Sequence, residues 1–181
     1  MTPAPPNQAP PRPGVHPRFT PRRTAAFSLV ELSIAFLIIS LLAALAVPAW
    51  KQAQLNARAT ALASDLRVFA GAFQSYAHDR GDWPLATFEP AEFPPGMQSY
   101  LTPTHWARAT PVGGSYTWAR DTLQQGERYR AALLILNVGA NRVTSDRSLL
   151  TAIDRQLDDG NLDTGNFRLG FRNQPVFVIE P

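Results

Sequence analysis

Residues 32–47 form a run that is apolar except for Ser33 and Ser40 and carries no charge. Extended to Phe27 and Trp50, it reaches the ~20 residues that a helix needs to cross a bilayer. A chain with such a run must bury it in a core, in a membrane or against copies of itself, and this constrains the fold more than any other feature. A single acid, Glu31, stands at the start of the run with no cation beside it in sequence. Placing a charge near hydrocarbon costs about 2.5–3.5 kcal/mol on insertion scales, so such groups are usually paired and functional. A cut just before Phe27 would supply the missing cation as a new α-amino group.

The residues around that point, Phe27-Ser28-Leu29-Val30-Glu31-Leu32, have the form F-T/S-L-x-E-L. In this the chain resembles the type IV pilin and type II secretion pseudopilin family, made as precursors with a short basic leader ahead of an apolar helix. The resemblance implies cleavage between Ala26 and Phe27 by a prepilin peptidase and N-methylation at Phe27. It assigns Glu31 to pairing with the amino terminus of a neighbouring subunit during assembly. Pro48, at the usual distance past the cut, is similar to the family too, and it is expected to kink or loosen the helix there. The family usually has glycine before the cut, and here Ala26 stands in its place.

The leader, residues 1–26, holds eight prolines, from Pro3 to Pro21, that prevent a helix and favour extended disordered chain. It also holds Arg12, Arg18, Arg22 and Arg23 and no acid, so the net charge of +3 falls to −1 once those four are set aside. The basicity therefore concerns membrane orientation, with this end cytoplasmic, and no nucleic-acid partner is expected. Small residues Ala43, Ala44 and Ala46 permit close helix packing, and Trp50 and Lys51 suit the far interface of the bilayer. An ordinary secretory signal is the competing reading. Ala44-Leu45-Ala46 has the A-x-A form of a cleavage site, and a cut there would release a chain starting at Val47.

Helical periodicity continues beyond the apolar run. Leu55, Ala59, Leu62, Leu66, Phe69, Phe73 and Tyr76 recur at spacings of three and four, with Gln54, Arg58, Ser64, Arg67 and Gln74 opposite. The helix should end near Arg80, because Gly81 and Pro84 follow. Residues 76–84 also resemble the pseudopilin pattern Y-x4-G-x-(Y/W)-P. Next come a long loop over residues 84–114 with a short helix near residues 97–101, strands over 115–120 and 129–138, and a helix capped by Ser145. Two last strands, 167–171 and 176–179, pair through Arg172-Asn173-Gln174. The fold expected is α+β: a long N-terminal helix, half transmembrane and half amphipathic, packed on a small antiparallel sheet, pilin-like. The domain reading is a leader over 1–26, a transmembrane and assembly helix over 27–50, its amphipathic continuation over 51–80, and a periplasmic domain over 81–181.

Other chemistry finds little support in the sequence. The chain has no cysteine, which excludes disulfides and thiolate sites. His16, His78 and His105 have no metal spacing, and no nucleophile elbow, phosphate loop or dinucleotide fingerprint occurs, so no enzyme is expected. Asp158, Asp159, Asn161 and Asp163 place oxygen ligands as a calcium loop does, and major pseudopilins are known for such a loop near the C-terminus. Thr164 and Gly170 stand where an EF-hand needs glycine and glutamate, and a polar turn after a helix, rich in Asp, Gly and Asn for backbone reasons, is the simpler reading. No other cofactor is expected. Trp83, Phe88, Phe93, Trp106 and Trp118 either line a ligand groove or cover the sheet.

The expected function is a prepilin-type filament subunit of the bacterial inner membrane, single-pass, with its C-terminal domain periplasmic. Its partners would be the prepilin peptidase, other pilin or pseudopilin subunits and membrane lipid. A type II secretion pseudopilin comes first, a type IV pilus or DNA-uptake minor pilin second. An exported or anchored binding domain that never assembles is the alternative of another class.

Overall fold

The structure is a computed structural model, and it describes residues 28–87 and 89–181. These fall into two units that divide between Ala43 and Ala44. One helix, α1 (Leu29–Arg80), spans the division. Its N-terminus is capped by Ser28, whose Oγ accepts the Val30 N–H at 3.3 Å while its carbonyl accepts the Leu32 N–H at 3.1 Å. The helical assignment continues through Pro48, at the cost of the N–H that would have reached the Ala44 carbonyl. It stops where Gly81 takes φ +77, a left-handed conformation that glycine adopts without strain.

In the second unit the expected stripe on α1 is the buried face: Ala59, Leu62, Leu66, Phe69 and Phe73 have no exposed surface. They pack on a four-stranded, wholly antiparallel sheet of β1 (Ser115–Gln124), β2 (Glu127–Leu136), β3 (Phe167–Leu169) and β4 (Pro175–Glu180), in the order β1-β2-β4-β3. Tyr116, Trp118, Ala131, Leu133, Ile135, Phe167 and Leu169 face that core, joined by Leu149, Leu150 and Ile153 of α3 (Arg147–Leu157). Aromatic rings lock helix to sheet. Phe73 stacks on Trp118 at 3.9 Å between centroids, and Phe69 meets Tyr116 edge-on at 4.8 Å. Ala119, Tyr129, Ala132, Leu134, Val176 and Val178 form a second apolar cluster, so the run 133–136 packs on alternate sides of the sheet.

The strand and cap boundaries depart from expectation. β1 and β2 extend to a two-residue turn, Gln125-Gly126, with φ +49 and +93, the pattern of a tight hairpin turn. The distal strands are polar and exposed, so alternation does not reveal them. β2 ends at Leu136, β3 ends at Leu169 before a 3₁₀ turn (Phe171–Asn173), and β4 runs one residue further at each end. The N-cap of α3 is Asp146, not Ser145. Its carboxylate accepts the N–H groups of Ser148 at 3.0 Å and Leu149 at 3.4 Å, reaching two free donors of the first turn. The long loop contains the expected short helical turn (Met97–Ser99) and a second helix, α2 (Pro103–Trp106), started by a proline at its first position. It also binds the outer edge of β1, where Thr87 and Ala91 donate their N–H groups to Trp118 and Tyr116 at 3.2 and 2.9 Å.

Candidate functional site

The first candidate is the surface of residues 28–43. Leu29, Leu32, Ile34, Phe36, Leu37, Ile38, Ile39, Leu41 and Leu42 are all at least half exposed. The most apolar 18-residue window of α1 has a mean hydropathy of 2.5 and is wholly unburied. Burying such side chains gains roughly 1.5–3 kcal/mol each, so this surface is built to be covered. Glu31 lies in the first turn of α1, three residues after the capping Ser28, where a negative charge suits the positive pole of the helix. Among the described residues it has no ion-pair partner. Ala26 and Phe27, the expected processing pair, lie outside the described residues, as does Phe88. Pro48 lies within α1, clear of the packed core.

The second candidate is the acidic end of α3. The structure places the four expected calcium ligands in different roles. Asp158 and Asp159 come together, each with a carboxylate oxygen within 4.8 Å of the other and of Asp154. Asn161 serves the turn: its N–H donates to Asp159 Oδ1 at 2.8 Å and its Oδ1 accepts the Asp163 N–H at 3.2 Å. Asp163 lines a separate small cavity of ≈ 90 Å³ with Glu127, Tyr129 and Arg168.

Asp154, absent from the sequence expectation, is the unusual member. It has no exposed surface, and among the described residues neither carboxylate oxygen has a hydrogen-bond partner of good geometry, though the Gly160 N–H favours its ionised form. Burial, then the charges of Asp159 and Asp158, push its pKa up to about 6. Asp159 shifts the other way, because the Asn161 N–H and the Thr164 hydroxyl stabilise its ionised form. The three carboxylates thus crowd together at the end of α3, with Asp154 the most enclosed of them. The signal was present in the sequence, since Asp154 follows Ile153 on the apolar face of α3, where a leucine would be ordinary.

Asp65 makes a third polar cluster, also unforeseen. It is buried on α1 and accepts the Tyr116 hydroxyl at 2.7 Å, together with Arg108, and lies 3.2 Å from His105 Nε2. Burial, then the bond to Asp65, raises the Tyr116 pKa. Every group here has a partner, which makes it a tie between α1, β1, α2 and the residues just after it. Three of the tryptophans also tie the loop and β1 into the core. Trp106 and Trp118 are fully enclosed and Trp83 nearly so, with indole N–H groups donating to Glu92 O, Pro84 O and Glu180 Oε2.

Residues 21–47 match the family described as the prokaryotic N-terminal methylation motif. No curated protein is significantly similar to the chain in sequence. Among solved structures, the major type IV pilin PilA1 from Clostridium difficile is similar over 70% of this chain and 97% of its own, at 15% identity and a TM-score of 0.45. The segment that begins at the leader arginines and runs into the apolar part of α1 thus carries the prokaryotic N-terminal methylation motif.

Proposed function

We propose that this chain is a prepilin-type filament subunit, cut before Phe27, N-methylated there, and assembled by packing its N-terminal helix against those of neighbouring subunits. The observation that carries this is the methylation motif over residues 21–47 leading into a helix whose apolar side chains are uncovered. In hydrocarbon the new α-amino group of one subunit would pair with Glu31 of the next. Each charge removes the other's desolvation penalty, so the subunits would seat at one register. Before assembly the helix would hold the protein in the inner membrane, with the arginines of residues 12–23 keeping the N-terminus cytoplasmic and the C-terminal domain in the periplasm. The prepilin peptidase and other subunits are the partners this route requires.

A type II secretion pseudopilin is the finer reading. It is favoured by a cysteine-free C-terminal domain and by the helix end over residues 76–84. A type IV pilus or DNA-uptake minor pilin is the second. Loss of exoprotein release on deletion supports the first, and loss of surface filaments supports the second.

Intact mass and N-terminal sequencing of the protein from its host membranes test the route. The expected mature chain starts at N-methylated Phe27. A soluble chain starting at Val47 would mean an ordinary exported domain and would end the assembly proposal. Glu31→Ala should leave membrane insertion intact and remove the subunit from filaments, scored by shearing or cross-linking.

A further inference from the structure

Just past the apolar run the surface of the folded domain turns basic. Between Glu31 and Asp65 the only charged residues are Lys51 and Arg58, both exposed. They line a cleft of ≈ 250 Å³ together with Leu55, and with Asp146 and Leu149 at the start of α3. Arg147, also exposed, lines an adjoining cleft that shares Leu55. Further along α3 the Gln156 carbonyl accepts from Arg67 of α1. Helix α3 therefore rises beside α1 in the same direction, with its N-terminal end nearest Trp50. Side chains on a helix lean towards its N-terminus, which for both helices is the side of Trp50. Among the described residues Lys51, Arg58 and Arg147 have no ion-pair partner, whereas Arg108, Arg120, Arg130 and Arg168 pair with Asp65, Asp82, Glu180 and Glu127. The acid beside the three, Asp146, is engaged with the N–H groups of Ser148 and Leu149.

We propose that Lys51, Arg58 and Arg147 dock on anionic phospholipid headgroups and seat the base of the domain on the membrane surface. This rests on the reading of α1 as a membrane span, which puts Trp50 at the interface. At 1.5 Å per residue Lys51 and Arg58 stand about 2 and 12 Å beyond Trp50 along the helix. The field of an anionic surface acts within about one Debye length, ~8 Å at physiological salt, and long side chains leaning back from these positions enter it. Guanidinium forks match the paired oxygens of a phosphodiester, and the Lys51 ammonium adds a point charge. A zwitterionic headgroup carries its own cation and offers no net attraction. Contact through two helices would also fix the height and rotation of the domain over the membrane, which a single span leaves free.

The test uses the full chain in vesicles of phosphatidylcholine and phosphatidylglycerol in equal parts, with bromine on the acyl chains of one lipid or the other. Bromine quenches a tryptophan beside it. Trp50 is exposed, while Trp83, Trp106 and Trp118 are enclosed in the domain, so quenching reports the lipid at its base. The expected result is a preference for phosphatidylglycerol of about fivefold, lowered roughly threefold or more by Arg58→Gln combined with Arg147→Gln, and by raised sodium chloride. Arg128→Gln should leave it unchanged. Strand β1 climbs with α1, from Tyr116 at Asp65 to Trp118 at Phe73 and Arg120 at Asp82, so Arg128 beside the hairpin turn is remote from Trp50. Equal quenching by the two lipids in the wild-type chain would overturn the proposal and leave the span intact. Quenching by neither would take Trp50 out of the bilayer and end both readings. An undiminished preference in the double variant would place the lipid contact elsewhere and overturn the docking surface. Should that variant fail to fold, Lys51→Gln, ahead of the packed face of α1, is expected to lower the preference about twofold, and no change would refute the assignment. Loss of the preference with inorganic phosphate, but not with chloride of equal ionic strength, would assign the patch to a free anion and overturn it too.

Discussion

Asp65 sits between Leu62 and Leu66 on the face of α1 that meets the sheet, where a carboxylate without partners would be costly. It is tolerated because Tyr116, His105 and Arg108 converge on it from 40 to 51 residues along the chain. Asp65→Ala should therefore lower stability by about 1–3 kcal/mol, since the enclosed Tyr116 hydroxyl loses its acceptor. Tyr116→Phe should cost less, and urea midpoints of the two variants give the order. Glu31 was legible from sequence because a lone acid at the edge of an apolar run is conspicuous without any structure. Asp65 and Asp154 were legible only as interruptions of an apolar stripe. Asp65 is met by three side chains and Asp154 by none, and the partners of Asp65 are distant in sequence, which periodicity does not record.

At the scale of elements, α1 was readable over its whole length because a 3.6-residue period and a terminal glycine are local signals. Its attachment to the sheet rests on few rings. Phe73→Ala removes the stack on Trp118 and leaves a cavity, with an expected loss of about 3–5 kcal/mol. Chemical denaturation measures it, and Gln74→Ala on the exposed face is the control. The distal hairpin was not readable, because its strands carry Thr122, Gln124, Glu127 and Arg128 in place of alternating apolar residues. Tertiary contacts fix it. Gln125 donates to the carbonyls of Leu169 and Gly170 at 3.1 and 2.8 Å, and Arg168 spans to Glu127 at 2.7 Å while lying over the Tyr129 ring. The Tyr129 hydroxyl and then Arg168 hold Glu127 below its usual value of 4.5. A depressed carboxylate stabilises the fold above its ordinary range and loses that contribution as the pH falls through it. Hydrogen exchange of amides 122–129, corrected for intrinsic rates, should therefore speed up below about pH 4 in the wild-type chain. Glu127→Gln should flatten that dependence, and an unchanged pH profile would count against the clasp.

For the whole molecule, the expectation is firm attachment to the membrane. Alkaline carbonate washing should leave the chain in the membrane pellet, and its release would contradict a spanning role for the apolar part of α1. The α+β plan was legible because both halves of α1 and the central strands carry strong local patterns. The acidic cluster at the end of α3 and the hairpin closure were not, since each depends on side chains brought together by the finished fold. The sheet has a further consequence. The outer edge of β1 is occupied by Thr87 and Ala91, and β3 offers only three residues before the chain turns away. Beyond Trp118 the turn of Asp121 into a left-handed conformation, φ +51, breaks the row of β1, so among the described residues each margin offers an extended segment from another molecule only a short template. Copies crowded along a membrane or a fibre can thus be held side by side at high local concentration without aggregating through their strands.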